Sequence, residues 1–388
     1  MAGEGKYQDE TACLIPKTEE HETESRAKSG YRPSKLLVLA GMVGLIAVSM
    51  VLFQHNLFQS TSTLVAVNGN KQVEVKCQNV HMPELSSPTR IYRYSKICYP
   101  NDGKKYPLHI FAHGDFGGGP FGFAYNGILH DIASRGFVVS MYLSCAIDQF
   151  CDNGNGSFLE ILKSVSFLET NSGWWDETID FSAGYSASGH STGGRAVLML
   201  AALVDNPTKY LATTKYASMI TKEQRKSIQK FQAIVGDHPD PVYLSEMNPD
   251  LENFVVDKTP TMVVTGSNDR IEPELSAWKV FEMILSPNKV YVNMLGANHL
   301  SPLISHQEGP YIALFSQCFI DGIPEETASE GCEAIYGNGP DAIQRRLAIA
   351  GPGDRNSGDG KVGFLGCRGG KHDDVPAEFA EYCSPENY

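Results

Sequence analysis

The chain has 388 residues, 42% of them hydrophobic, and a formal net charge of −13. That length and apolar content provide for one large globular domain or two ordinary ones. The acidic balance, with no basic run interleaved with aromatics, excludes nucleic acid as a partner, since phosphates are met by clustered Lys and Arg.

In chain order, residues 1–34 are polar, mixed in charge and without apolar periodicity, and read as a disordered tail. The run LLVLAGMVGLIAVSMVLF, Leu36 to Phe53, is uncharged for 18 residues, the lower end of what spans a bilayer, and predicts a transmembrane anchor over 35–54. Arg26, Lys28, Arg32 and Lys35 precede it and no Lys or Arg follows until Lys71, which puts the tail in the cytosol and the rest across the membrane. A cleaved signal peptide would sit nearer Met1 and end in a small-x-small site, which FQHNLFQ does not offer. The expectation is a single-pass membrane protein whose globular part faces the secretory lumen, the exterior or the inside of an organelle such as a plastid.

After the anchor, TLVAV, VEVKC and IYRYSKICY read as short strands, and YPLHIFA (106–112) as a compact apolar one. GFAYNGILHDIASRG predicts a helix closed by Gly136, FVVSMY (137–142) a strand, and SFLEILKSVSFLE an amphipathic helix. AGYSAS is a weak strand, and GRAVLMLAALV a helix apolar on nearly every face. FQAIV (231–235), TMVVT (261–265) and KVYVNML (289–295) are further strands, with LSAWKVFEMIL as a helix between the last two. The alternation implies an α/β fold, a mostly parallel sheet with helices on both faces, whose chemistry gathers at the carboxyl ends of the strands.

Cys13 stands alone before the anchor, and Cys77, Cys98, Cys145, Cys151, Cys318, Cys332, Cys367 and Cys383 all follow it. An even number beyond the anchor suits an oxidising compartment. Pairing of neighbours along the chain is the simplest expectation: Cys77 with Cys98, Cys145 with Cys151, Cys318 with Cys332, Cys367 with Cys383. No CxxC or Cys/His spacing marks a zinc site. One glycosylation sequon, Asn155-Gly156-Ser157, lies in a Gly/Asn-rich loop.

Gly189-His190-Ser191-Thr192-Gly193 fits G-x-S-x-G, a sharp turn that lifts a serine above a strand end just before a helix begins. The weak strand before it and the apolar helix after it supply that context, so Ser191 is the expected nucleophile; Ser186 and Ser188 fail the pattern and read as strand residues. A serine hydroxyl needs a base, and the base an orienting acid. Asp269 follows TMVVT and His299 follows KVYVNML, in the order Ser, acid, His; Asp237 is the alternative acid, and His238 and His306, the latter placed in a helix, are the alternative bases. An oxyanion needs two N–H donors. Thr192, next after the nucleophile, supplies one, and the loop HGDFGGG (113–119) the other, from Asp115 or, second, Phe116.

HIFAHG, LHDIASRGFVV, SASGHSTGGRAV, GSNDRIEP and GANHL together resemble the α/β-hydrolase branch that holds chlorophyllases, platelet-activating-factor acetylhydrolases and cutinase-type polyester hydrolases. The similarity covers roughly residues 90–320 and implies a hydrolase domain over 60–321, with a Gly-rich, cysteine-containing extension at 322–388. It implies catalytic roles for Ser191, Asp269 and His299, with the N–H groups of Asp115 and Thr192 as oxyanion donors, and no metal or cofactor. Within the branch, GDHPDP in place of a loop Trp leans toward chlorophyllases, while Thr192 stands where plant chlorophyllases carry Arg. The expected activity is hydrolysis of a lipophilic carboxylic ester, chlorophyll being one, with a polyester or lipid ester, or a silent hydrolase fold used for binding, as alternatives. The segment 205–230 is expected as an insertion beside the site, with its role as a cap left open.

Overall fold

The computed structural model describes residues 73–86, 93–115, 117–144, 157–209, 217–241, 254–294, 296–336 and 364–365, all within one compact unit, Val67–Tyr388. The tail, the anchor, TLVAV, Asn155, Phe116 and the pairs Cys145/Cys151 and Cys367/Cys383 lie outside the described residues. Among the described residues no helix is long and apolar enough to cross a membrane.

Two antiparallel strands, β1 (Val75–His81) and β2 (Tyr94–Pro100), open the sheet. There follow β3 (Leu108–Ala112), α1 (Asn126–Ala133), β4 (Val138–Tyr142), α2 (Ser157–Thr170), β5 (Tyr185–His190) and α3 (Thr192–Asp205). The second half runs α4 (Lys222–Ile228), β6 (Phe231–Asp237), β7 (Thr261–Gly266), α5 (Glu274–Met283) and β8 (Lys289–Met294). Helices α6 (Ser301–Ile304), α7 (Gly309–Phe319) and α8 (Glu325–Tyr336) come next, and β9 (Phe364–Leu365) is the last described element. The strand order is β1-β2-β4-β3-β5-β6-β7-β8-β9; β3 to β8 are mutually parallel, and β2 and β9 flank them antiparallel. The predicted mostly parallel α/β sheet is therefore the observed one.

Strand periodicity sorts the core. Ile110, Val138, Val263 and Tyr291 face a cluster built with α2, α3 and α5, whereas their neighbours Phe111, Val139, Val264 and Val292 face a cluster built with α1 and α7. Both faces are buried, so these strands read as continuous apolar runs. β5 is the exception, because Ser186 and Ser188 point inward. Their hydroxyls are met by one buried imidazole, His109 of β3, whose Nδ1 lies 2.7 Å from Ser186 Oγ and whose Nε2 lies 2.7 Å from Ser188 Oγ. Burial pushes His109 down to about 3, so the ring is neutral, one nitrogen donating and the other accepting.

Cys77 and Cys98 form a disulfide across the β1–β2 pair, and Cys318 and Cys332 form one between α7 and α8, as expected from their order. Through that second bond and through β9, which pairs with β8, parts of the 322–388 extension join the same compact unit as the sheet.

Two expectations are corrected. Segment 205–230 does not cap the carboxyl ends of the strands where it is described. Its helix α4 leads directly into the start of β6, and beside it Ser227 and Lys230 donate to Glu169, as does Tyr185, the first residue of β5. This is the amino end of the sheet, because α3 runs antiparallel to β5 and delivers the chain there. His306 lies between α6 and α7 rather than in a helix, at φ 41°. Its ring packs on Gly127 and its Nδ1 donates to Asp131 Oδ2 at 2.7 Å, both on α1.

Candidate active site

Ser191 occupies the turn between β5 and α3 with φ 57° and ψ −122°, a conformation that costs a residue with a Cβ about 1–3 kcal/mol. Two contacts with the end of β6 and the chain just beyond it hold it: the Ser191 N–H donates to Asp237 C=O and the Asp240 N–H donates to Ser191 C=O, each at 3.0 Å. The flanking glycines are steric necessities. A Cβ on Gly193 would stand 2.1 Å from the Ala112 carbonyl oxygen, and one on Gly189 would stand 2.3 Å from the Gly193 oxygen. Helix α3 can thus begin against β3 and β5 only with glycine at both places.

Asp269 and His299 lie in the turns that follow β7 and β8, so the sheet's register brings them to the end where Ser191 stands. His299 Nε2 is 3.0 Å from Ser191 Oγ, and His299 Nδ1 is 2.9 Å from Asp269 Oδ2. All three residues are buried. The other carboxylate oxygen of Asp269, Oδ1, accepts the backbone N–H groups of Ile271 at 2.9 Å and Glu272 at 2.8 Å. A carboxylate only accepts, so the His299 proton sits on Nδ1 and Nε2 is left to accept from the Ser191 hydroxyl. Asp237 points elsewhere, its Oδ1 2.8 Å from His238 Nδ1, and neither His238 nor His306 meets Ser191.

The 113–119 loop passes directly beside the serine: a Cβ on Gly114 would be 2.8 Å from Ser191 Cβ. The Gly117 N–H closes a turn onto the Gly114 carbonyl at 2.9 Å, with Asp115 at its exposed corner. Among the described residues neither the Asp115 N–H nor the Thr192 N–H meets an acceptor, and Thr192 heads α3, where backbone donors are unsatisfied by the helix itself. The Thr192 hydroxyl donates to Asp115 Oδ1 at 2.9 Å, tying the two segments together.

Two residues that no motif marks complete the surroundings. The Gly114 N–H donates to the Tyr125 hydroxyl at 3.0 Å, the Tyr125 hydroxyl donates to His190 Nδ1 at 2.7 Å, and His190 Nε2–H donates to the His299 carbonyl at 2.8 Å. Burial, reinforced by the neighbouring His299 and His238 rings, holds His190 well below its ordinary value, in keeping with a neutral ring that accepts at one nitrogen and donates at the other. The x position of G-x-S-x-G gave only the hint that a side chain stands there; Tyr125 lies 65 residues earlier and carried no signal.

The arrangement thus provides a hydroxyl hydrogen-bonded to an imidazole whose other nitrogen is hydrogen-bonded to a carboxylate. No protein-family model matches the chain, and no curated protein matches it.

Proposed function

We propose that the chain is a serine hydrolase and, more narrowly, a carboxylic ester hydrolase of the kind its sequence motifs resemble. The observation that carries this is the continuous hydrogen-bonded series Ser191–His299–Asp269 at a strained strand-to-helix turn. His299 Nε2 takes the Ser191 proton as Oγ attacks the ester carbonyl. The oxyanion that forms accepts from the N–H groups of Thr192 and Asp115, and the imidazolium is held by Asp269. His299 then gives its proton to the leaving alcohol, an acyl-enzyme remains on Ser191, and a water activated by the same nitrogen releases the acid.

The substrate class is a lipophilic ester. Phe121 and Phe123, in the turn after the 113–119 loop, and Leu300 and Ile304, beside His299, are all exposed, and the two segments pack against each other. Apolar side chains exposed next to a polar site suit a greasy ligand, and an anchor at 35–54 would hold that site near a bilayer. A pigment ester such as chlorophyll is the first substrate to offer, before an aromatic polyester film.

Full-length protein in mild detergent should be labelled by a fluorophosphonate probe and should hydrolyse p-nitrophenyl butyrate. Ser191→Ala should lose both, by several orders of magnitude in rate, while Ser186→Ala keeps them. No labelling of the folded wild type, or labelling that survives Ser191→Ala, refutes the assignment. Chlorophyllide release below acid release from the polyester film reverses the substrate ranking.

A further inference from the structure

Behind the triad lies a second group of polar side chains that the ester chemistry does not use. Asp237 ends β6, His238 follows it, and Glu308 immediately precedes α7; all three are fully buried. One ligand atom from each lies within 4.8 Å of the others. Beyond the His238 Nδ1 to Asp237 Oδ1 contact, the polar atoms of this group go unmet: Asp237 Oδ2, His238 Nε2, Glu308 Oε1 and Glu308 Oε2 have no hydrogen-bond partner. The backbone group that favours the Glu308 charge is its own N–H.

Leaving such an atom unpaired in the interior is destabilising, most of all for a charged group. Burial pushes the Glu308 carboxyl up to about 7, aided by the charge of Asp237, and drives Asp237 upward as well. A shared proton accounts for the His238 Nδ1 to Asp237 Oδ1 contact but leaves both Glu308 oxygens without a donor. An ion about 2.0–2.2 Å from each donor sets neighbouring donors about 3–4 Å apart.

We infer that Asp237, His238 and Glu308 form a binding site for one divalent transition-metal ion, zinc or manganese in type. Two carboxylates and a neutral imidazole cancel the charge of a divalent ion. One ring nitrogen of His238 and one oxygen of Asp237 supply two donors, the ion displacing the proton these two residues share, and the two unpartnered oxygens of Glu308 complete a four-coordinate site if it chelates. An imidazole in the set favours a transition ion over calcium or magnesium, which take oxygen ligands. With no ligand exposed, the ion acts as a brace. It clamps the start of α7 to the end of β6, where the Asp237 carbonyl and, three residues on, the Asp240 N–H hold the Ser191 turn.

The test needs no catalytic readout. Full-length protein in detergent is stripped with a chelator, equilibrated separately with zinc, manganese, calcium or magnesium, and assayed for bound metal and for its thermal midpoint. About one zinc or manganese ion per chain should be retained tightly, raising the midpoint by several degrees. Glu308→Gln and His238→Gln should each weaken binding by at least about 100-fold. X-ray absorption on the zinc-loaded wild type should show one imidazole among oxygen donors, a result that stands even if a variant fails to fold. A wild type that retains no ion, prefers calcium or magnesium, melts identically with and without metal, or binds as well after both substitutions overturns the inference.

Discussion

Asp269→Asn tests the assignment of the acid with the least disturbance of shape. Oδ1 of Asp269 accepts two backbone N–H groups, from Ile271 and Glu272, and only the amide oxygen of Asn can take that place. The amide NH2 must then occupy the position of Oδ2, 2.9 Å from His299 Nδ1. A donor facing Nδ1 forces the ring proton onto Nε2, toward Ser191 Oγ, where it cannot accept the serine proton. The carboxylate that would stabilise the imidazolium is lost as well. Together these effects should lower kcat for p-nitrophenyl butyrate by about 10⁴-fold, about 5 kcal/mol in activation free energy. Fluorophosphonate labelling should slow in parallel. Both backbone hydrogen bonds survive, so the urea midpoint should move little. A loss of less than tenfold, with the fold intact, would show that another group orients His299.

His109→Leu leaves the hydroxyls of Ser186 and Ser188 unpaired inside β5 and should cost roughly 2–4 kcal/mol in urea unfolding; adding Ser186→Ala and Ser188→Ala should recover more than half, and no recovery would mean that packing rather than pairing matters. Burial, then the Asp240 carboxylate, pushes Glu272 up to about 8. Its folded value lies above its unfolded one, so its contribution to stability is full below pH 4.5 and lost as pH rises through 8. Glu272→Gln should therefore flatten the decline in urea midpoint between pH 5 and pH 9, and an unchanged slope would contradict the reading. Cys318 and Cys332 are 14 residues apart, so opening their disulfide should cost about 3 kcal/mol and raise hydrogen exchange in α8 ahead of the sheet; equal protection with and without reductant would show that packing alone holds that helix.

The apolar strands and the chain order of Ser191, Asp269 and His299 were legible because each rests on a local pattern. β3, β4, β7 and β8 are buried on both faces and read as short apolar runs, and the turns after β5, β7 and β8 deliver Ser191, Asp269 and His299 in chain order. β5 looked weak because its interior includes Ser186, Ser188 and Gly189; the compensation is His109, on a neighbouring strand 77 and 79 residues away, which no window along the chain can include. The misplacement of 205–230 has the same origin. The sequence shows an insertion, but only the direction of α3 shows to which end of the sheet its described part goes. The Asp237, His238 and Glu308 group has no spacing signature at all, since two of its members are adjacent and the third stands at the head of α7.

The unpatterned residues explain why a strained serine stays in place. A conformation that costs about 1–3 kcal/mol persists only where its surroundings leave no alternative, and three sets of bonds do this here. The end of β6 and the chain just beyond it grip the Ser191 backbone from both sides through Asp237 and Asp240. Thr192 ties the head of α3 to Asp115. Tyr125 and His190 then join the Gly114 N–H to the His299 carbonyl through the core, so the loop carrying Gly114 and the loop carrying His299 share a single hydrogen-bonded frame. Because His190 immediately precedes Ser191, any movement of the serine turn would break that frame at its centre. The neutral ring required for it to accept from Tyr125 and donate to His299 is the form that burial imposes. The geometry at Ser191 is therefore set by the interior behind it, which is why a turn of small residues suffices there.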